Sequence, residues 1–281
     1  MKKIKHCIGA ISYCDSLKNP ERFDVLKNTF NNLAAVKRDD NYIFLWDNGS
    51  SEDVRNFLKS CNTFDDVYFS HENLYTNGLI AALNLKARQL KADYVTIVSD
   101  DYLVYRPESI NHCINFLDKN IDCGYMRILK FEYDNIHLYD KILRHPDRDI
   151  PNCQRQFNYI TNEKLVWEEC EYSDSRFRFF KNNYHWSEFP NICRSGVFNK
   201  IVPKEDCGVM AEVEKLMIHK YHNLGLKTGV LDGGAFTHDQ RDFGANSRRV
   251  SEQNTWRDFI LKKEKLLSVI NDVLKTNFKE L

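Results

Sequence analysis

The chain has 281 residues, of which 42% are hydrophobic, and it carries 40 basic and 40 acidic side chains. This length suits one large domain with a small appendage and is short for two full domains. The hydrophobic fraction suffices for a sizeable core and excludes wholesale disorder. The balanced charge argues against a protein held to nucleic acid mainly by phosphate neutralisation, which needs a basic excess.

Three features of the sequence concern its cellular location. No stretch reaches the roughly 20 apolar residues that span a bilayer, so any membrane contact is expected to be peripheral. The start, residues 1–16, has too short an apolar run for a signal peptide and is interpreted as a strand. Nine cysteines without a C-x-x-C pair favour a reducing cytoplasm over a disulfide framework.

The first hundred residues alternate short apolar strands with amphipathic helices. Strands are predicted at 4–13, 42–46, 67–70 and 93–99. Helices are predicted to begin after Asn19 and Ser51, and to cover 78–91. Asn19 is a suitable N-cap, because Pro20 follows it at the first helical position. This alternation predicts βαβ units and a doubly wound, mainly parallel α/β sheet.

The second half of the sequence is less regular. Residues 121–142 resemble strands joined as a hairpin, whereas 143–182 show no clean period. Helical spacing returns over 211–224 and is closed by Gly225, a residue favoured after a helix end. A strand is predicted at 226–231, and a C-terminal amphipathic helix at 251–276.

Polar clusters follow three of the predicted strands. They are Ser12-Tyr13, Asp47-Asn48 and Asp100-Asp101. The carboxyl ends of parallel strands open a crevice at one edge of the sheet, where ligands bind. Paired aspartates there can hold Mg²⁺ or Mn²⁺, with His238 as a candidate further ligand. Alternatively, the aspartates only begin a turn and His238 lies in a surface loop.

Three sequence blocks in order resemble the nucleotide-sugar glycosyltransferases of the GT-A fold, family-two type. The blocks are DNGSSEDV at 47–54, NGLIAALN at 77–84 and DYVTIVSDD at 93–101. A later segment, AEVEKLMIHKYHNLGLK at 211–227, is similar to the acidic helix of that family. The family's D-x-D metal motif aligns with Ser99-Asp100-Asp101, so its first aspartate is replaced and Asp101 is retained.

The resemblance implies a metal-dependent glycosyltransferase, expected to be a hexosyltransferase of glycan or polysaccharide synthesis. The donor would be a nucleoside-diphosphate sugar, with a UDP-sugar favoured, and the acceptor a hydroxyl of a glycan or another molecule. Asp101 and His238 would bind Mn²⁺ or Mg²⁺ opposite the diphosphate. Glu214 would be the catalytic base, with Glu212 as its substitute if the alignment shifts. A single in-line base implies inversion, and a retaining outcome stays open.

The resemblance also implies two groups of binding residues. The nucleotide sugar would contact Ser12, Tyr13, Asp47, Asn48, Asn77, Gly78, Asn84, Asp100 and Arg241. Trp186, Glu188 and Arg194 would line the acceptor side, where an aromatic ring can stack on a sugar. Trp186 is equally well explained as a core residue. Residues 241–249 hold three arginines that could close over the diphosphate as a lid.

The predicted domain organisation follows from these assignments. Residues 1–240 form the GT-A domain, with a nucleotide-sugar half at 1–120 and an acceptor half at 121–240. Residues 241–281 form the lid loop and the C-terminal helix. The alternatives are a glycosyltransferase acting on protein or nucleic acid, and a non-catalytic nucleotide-sugar-binding module, which Ser99 favours. A sugar nucleotidyltransferase is disfavoured because residues 10–22 contain no glycine.

Overall fold

The structure is a computed structural model that describes residues 3–71, 73–129, 166–183, 190–203 and 210–238. The lid predicted at 241–249 and the helix predicted at 251–276 therefore lie outside the described residues. None of the helices in the described ranges has both the length and the apolar character needed to cross a bilayer.

Strands and helices alternate along the described chain. The strands are β1 (His6–Ser12), β2 (Asn41–Asp47), β3 (Asp66–Phe69), β4 (Tyr94–Val98), β5 (Tyr102–Val104), β6 (Cys123–Arg127), β7 (Trp167–Cys170), β8 (Phe179–Asn182), β9 (Asn191–Arg194), β10 (Lys227–Leu231) and β11 (Phe236–His238). The helices are α1 (Pro20–Leu33), α2 (Glu52–Ser60), α3 (Tyr75–Leu90), α4 (Ser109–Lys119), α5 (Ser195–Ile201) and α6 (Met210–His222).

A nine-stranded sheet forms the centre of the fold, in the order β3-β2-β1-β4-β9-β6-β10-β8-β7. Strands β3, β2, β1 and β4 are parallel to one another, and β6 is parallel to β10. Strand β9 runs antiparallel between β4 and β6, so β6 and β10 point the same way as β1. A second, two-stranded sheet pairs β5 with β11. The predicted doubly wound, mainly parallel α/β sheet is confirmed.

Helices cover both faces of the sheet because each presents one apolar stripe to it. On one face, α1, α2 and α4 contribute Leu26, Phe30, Leu58 and Ile114 to a buried cluster. On the other face, α3, α5 and α6 contribute Leu83, Phe198, Met217 and Tyr221. Burial of this apolar area is the main favourable term in folding.

Of the hairpin predicted at 121–142, the structure describes only residues 121–129. Strand β6 lies in that range, but β9 and β10 occupy its two edges, so it has no edge left for a hairpin partner. A hairpin does form later, where β7 and β8 pair antiparallel within the range for which no period was found. The helix closed by Gly225 is confirmed, with a φ of 64° at that glycine.

Candidate active site

The strands β1, β2 and β4 end side by side, at Ser12, Asp47 and Val98, and we call this end of the sheet the carboxyl edge. Ser12 and Asp47 are direct partners in the parallel register. The Ser12 hydroxyl donates a hydrogen bond of 2.9 Å to Asp47 Oδ1. The loops that follow these strands therefore meet at one place, as the polar clusters of the sequence predict.

Asp47 is fully buried and holds together the turn that follows β2. Its Oδ2 accepts hydrogen bonds from the backbone N–H groups of Gly49, at 3.2 Å, and Ser50, at 3.1 Å. The Arg55 guanidinium lies 3.3 Å from the same oxygen. The carboxylate has no exposed surface. The nucleoside contact predicted for Asp47 is therefore not supported, because its oxygens already serve the turn.

Asn48 has a similar internal role. Its side-chain oxygen accepts hydrogen bonds from Trp46 Nε1, at 3.0 Å, and from the Leu74 backbone N–H, at 3.2 Å. It thus ties the end of β2 to the start of α3. Asn77 and Gly78 lie in the first turn of that helix and are close to the carboxyl edge.

Gly78 is explained by packing rather than by a ligand. A β-carbon at this position would lie 2.7 Å from Trp46 Cε2 and Nε1, which is closer than real β-carbons come to other atoms. Only glycine allows the helix to approach the fully buried Trp46 ring. The match of Gly78 to the family signature is thus also a requirement of this contact.

Asp100 joins three segments at the carboxyl edge. Its Oδ2 accepts a hydrogen bond of 3.1 Å from the Tyr13 backbone N–H, and its Oδ1 accepts one from Arg22 on α1. Arg22 and Asp100 are both buried. Tyr13 as a whole residue, by contrast, is 46% exposed at this edge. Tyr13 therefore has its backbone fixed and its ring available to a ligand.

Asp101 is the residue whose environment best fits a cation. It is 6% exposed, and its Oδ1 has no hydrogen-bond partner among the described residues. Its Oδ2 lies 3.8 Å from Arg22 Nη1. A buried carboxylate oxygen without a partner costs free energy, which a bound Mn²⁺ or Mg²⁺ would offset. Within the described ranges, no group of three or more potential metal-ligating side chains occurs.

The second predicted metal ligand, His238, lies next to Asp101 in the fold. Its backbone pairs with Tyr102, the neighbour of Asp101, in the small sheet of β5 and β11. Asp101 and His238 are therefore close in the fold although they are 137 residues apart in the sequence. The position of its imidazole lies outside what the structure describes, so its role as a ligand stays a prediction.

Two of the predicted binding residues lie elsewhere. Asn84 Nδ2 donates a hydrogen bond of 3.2 Å to Asn199 Oδ1, so the side chain links α3 to α5 in mid-helix. Arg194 is at the far end of β9, beside Tyr94 at the start of β4. Asn84 thus lies in the third turn of α3, and Arg194 lies at the end of β9 away from the carboxyl edge.

The guanidinium of Arg194 is used in joining the chain together. It donates to the backbone oxygens of Cys123, at 2.8 Å, and Asn120, at 3.2 Å, and also to that of Leu117. These bonds anchor the end of α4 and the start of β6 to β9. Arg194 Nη1 also donates to the Tyr94 hydroxyl at 3.4 Å, so the guanidinium has a structural role here, and its acceptor role stays a prediction.

The predicted base, Glu214, lies in the first half of α6. This helix turns at Gly225 into β10, whose first residue, Lys227, pairs with the first residue of β6. Since β10 points toward the carboxyl edge, α6 ends at the opposite edge and begins at the carboxyl edge. Val213 is buried in the core, and Glu214 is half-buried beside it. The placement is compatible with the predicted role, which stays a prediction.

Four other predicted residues lie wholly or in part outside what the structure describes. Trp186, Glu188 and Arg241 lie outside the described residues, and so does the side chain of Glu212. In the sequence, residues 184–189 precede Pro190 and β9, whose residue Ile192 pairs with Thr96 of β4.

Sequence reasoning missed two arginines of the site. Arg22 stands in the first turn of α1 and Arg55 in α2, where each looks like an ordinary surface charge. One signal was present for Arg22: it precedes Leu26 by four residues and so lies on the buried face of the helix. No sequence pattern links it to Asp100, 78 residues later.

The family model of glycosyl transferase family 2 matches residues 19–187, more than half of the chain. A crystal structure of S. aureus TarS 1-349 is similar with a TM-score of 0.51 at 16% identity, covering 98% of this chain and 72% of that one. Another S. aureus TarS crystal structure gives 0.51 and 15%, covering 98% of this chain and 44% of that one.

At such identities the structural likeness bears on the fold alone. A comparison with curated proteins found no significant match. The family match and the observed sheet agree with each other, and with the three sequence blocks at the carboxyl edge. This chain is a glycosyltransferase with an α/β fold of the GT-A type, and it belongs to glycosyl transferase family 2.

Proposed function

We propose that this glycosyltransferase moves a sugar from a nucleoside-diphosphate sugar to an acceptor hydroxyl with the help of a divalent cation, in the synthesis of a glycan or polysaccharide. The observation that carries the proposal is the buried Asp101 at the carboxyl edge, with one carboxylate oxygen lacking a partner among the described residues. Family membership supports the donor class.

Asp101 and His238 are the residues that would hold Mn²⁺ or Mg²⁺. When bound, the cation would supply positive charge next to the diphosphate leaving group. Asp101 would provide its partnerless Oδ1, and its burial keeps the carboxylate in one orientation. His238 is included as a second ligand because its backbone pairs with that of Tyr102, the residue directly after Asp101.

Tyr13 and Glu214 would act on the two substrates. The exposed ring of Tyr13 offers a face on which a nucleoside base can stack, while Asp100 fixes the Tyr13 backbone. Glu214 would remove the proton from the acceptor hydroxyl, because such a hydroxyl is a poor nucleophile at neutral pH. A single carboxylate acting in line gives inversion at the anomeric carbon.

A cytoplasmic location is part of this proposal. All seven cysteines that the structure describes are free thiols. Burial raises the pKa of Cys14, beside the Asp100 charge, to about 12, which keeps this thiol protonated. Reduced, unreactive cysteines suit a reducing compartment.

The test is an assay of UDP-, GDP- and dTDP-sugars with Mn²⁺, with Mg²⁺ and with a chelator, measuring both transfer and donor hydrolysis. We expect turnover of one donor class that the chelator abolishes. The Asp101→Asn variant should have turnover at least a hundredfold lower. The Glu214→Gln variant should lose transfer and keep donor binding.

Three results would contradict parts of the proposal. Turnover that persists in the chelator excludes the cation. Near-normal sugar transfer by the Glu214→Gln variant would show that Glu214 is not the base, and Glu212 would then be the candidate. Binding of a donor without turnover of any donor, by the intact protein with Mn²⁺, would support the non-catalytic module that Ser99 suggests.

A further inference from the structure

Arg22 is a buried cation that faces the two aspartates of the metal motif. Its side chain is only 5% exposed, and it bonds to Asp100 Oδ1 while Nη1 lies 3.8 Å from Asp101 Oδ2. Arginine is rarely buried unless it is paired, so the position calls for a reason. The sequence blocks shared with the family do not include it.

The backbone that carries Arg22 is fixed at both ends. The Asn19 side chain caps α1 by accepting a 3.2 Å hydrogen bond from the Arg22 backbone N–H. One turn further on, Leu26 is fully buried in the core. The guanidinium thus enters the site from a rigid helix rather than from a loop, which favours a defined geometry.

The two aspartates are held differently. Asp100 has both carboxylate oxygens engaged, one by the Tyr13 backbone N–H at 3.1 Å and the other by Arg22. Asp101 directs Oδ2 toward Arg22, and its Oδ1 has no partner within the described part of the chain. The guanidinium therefore restrains both carboxylates and leaves one oxygen available.

Electrostatics agree with a permanent charge on Arg22. A guanidinium stays protonated in proteins, and the neighbouring carboxylates of Asp100 and Asp101 stabilise its charge. The planar guanidinium holds its donors in a rigid fork that can serve two carboxylates at once, whereas the donors of an ammonium group rotate about a single point charge.

We propose that Arg22 is a positioning residue for the cation site: it fixes Asp100 as a support and orients Asp101 so that Oδ1 faces the cation. This inference depends on the proposed function, because it takes Asp101 as the ligand. Residues that orient a metal ligand change the metal affinity about 10- to 100-fold when they are replaced.

Charge and position predict opposite effects for this residue. Removing a positive charge next to a cation site should tighten cation binding if Arg22 acts only through its charge. Removing a positioning group should weaken it, because Asp101 can then turn away from the productive orientation. The affinity for the metal alone therefore separates the two roles without any assay of activity.

The experiment titrates the metal-free protein with Mn²⁺ and follows free Mn²⁺ by electron paramagnetic resonance, with thermal unfolding measured in parallel. Arg22→Met is expected to weaken Mn²⁺ binding at least tenfold, and Arg22→Lys to recover only part of the loss. Lys27→Met, which removes an exposed charge on the same helix, is the matched control and should bind Mn²⁺ as the natural protein does.

Arg22→Met leaves Asp100 as a buried, uncompensated charge and can fail to fold. The double variant Arg22→Met with Asp100→Asn removes that charge and keeps an oxygen for the Tyr13 N–H, and it should bind Mn²⁺ at least tenfold more weakly than Asp100→Asn alone. Unchanged or tighter Mn²⁺ binding by either folded variant overturns the inference. The Asp101→Asn variant separates the proposed cation site from the proposed role of Arg22. If Asp101→Asn binds Mn²⁺ normally, the proposed cation site is wrong. If Asp101→Asn loses Mn²⁺ binding while Arg22→Met keeps it, only the role of Arg22 is refuted.

Discussion

His6, the first residue of β1, links the stability of the sheet to pH. It is buried, and its Nε2 lies 2.8 Å from Thr96 Oγ1 on the neighbouring strand β4. Burial, assisted by the charge of Arg38, lowers the pKa of its imidazole from 6.5 to about 3. The unfolded chain therefore takes up a proton near pH 6.5 that the folded chain does not accept until about pH 3.

It follows that the stabilisation from neutral His6 is complete above pH 6.5 and declines as the pH falls toward 3. We expect a loss of about 2 kcal/mol in the free energy of unfolding between pH 7.5 and pH 5 from this residue. His6→Gln keeps a polar partner for Thr96 and cannot titrate. Urea unfolding at both pH values should show a correspondingly smaller loss for the variant, and equal losses would refute the prediction.

Alanine substitutions at Gly78 and Gly196 should have different effects on the free energy of unfolding. Gly78→Ala forces a β-carbon against the Trp46 ring, which is fully buried and hydrogen-bonded to Asn48. Overpacking of this kind costs about 1–3 kcal/mol. Gly196, in α5, has no atom within 4 Å of the added carbon. Gly196→Ala should therefore leave stability unchanged or raise it by up to about 1 kcal/mol.

Denaturant unfolding of these two alanine variants measures both effects in one experiment. A Gly78→Ala protein as stable as the natural one would mean that Trp46 can move aside, contrary to the contacts described.

At the scale of single residues, the sequence predicts positions better than contacts. It places Asp101 and His238 near each other, since both follow strands that end at one edge. It does not predict that Asp47 is enclosed by its own turn, because a buried and an exposed aspartate look alike in a sequence. Nor does it predict the pairing of Arg22 with Asp100, because these two residues are 78 positions apart in the chain.

Among the secondary-structure elements, α1 depends on the cap that the sequence indicates. Asn19 accepts the Arg22 backbone N–H, and Pro20 follows at the first helical position. Asn19→Ala should lower the free energy of unfolding by about 1 kcal/mol, because the N–H loses its partner. Asn19→Asp retains an acceptor oxygen and should be neutral. Equal losses for both variants in urea unfolding would show that the cap bond does not stabilise the helix.

The sequence identifies elements that have a clear period or a cap, and it misses short ones. Strands β1 to β4 and helices α1 to α3 are found because apolar positions repeat and turn residues separate them. The three-residue strands β5 and β11 are too short to show any alternation. Helix α4 is not among the predicted elements, although Ile110, Ile114 and Leu117 repeat at helical spacing and are buried.

The order of strands in the sheet is a property of the whole molecule that no local pattern contains. Strand β9 lies between β4 and β6, and β10 lies on the other side of β6. The segment matched by the family model, 19–187, ends before both of them. A fragment of residues 1–187 would therefore leave β6 without either neighbour and β4 with one open edge.

We expect the 1–187 fragment not to unfold cooperatively, whereas 1–240, which contains every described strand, should do so. Circular dichroism during urea unfolding distinguishes the two, since a cooperative transition is the mark of a single packed core. A sharp transition in the 1–187 fragment would contradict this dependence on β9 and β10.

The position of β9 also has a consequence for synthesis on the ribosome. Strand β9 emerges about 90 residues after β4, which at ordinary elongation rates corresponds to roughly 5–20 s. During that interval the growing chain presents β4 as an open, apolar strand edge, the kind of surface that pairs with other chains. We expect a chaperone that binds nascent chains to shield this edge of β4 until β9 is synthesised. Removal of that chaperone should reduce the yield of soluble protein more than it reduces the stability of the folded protein.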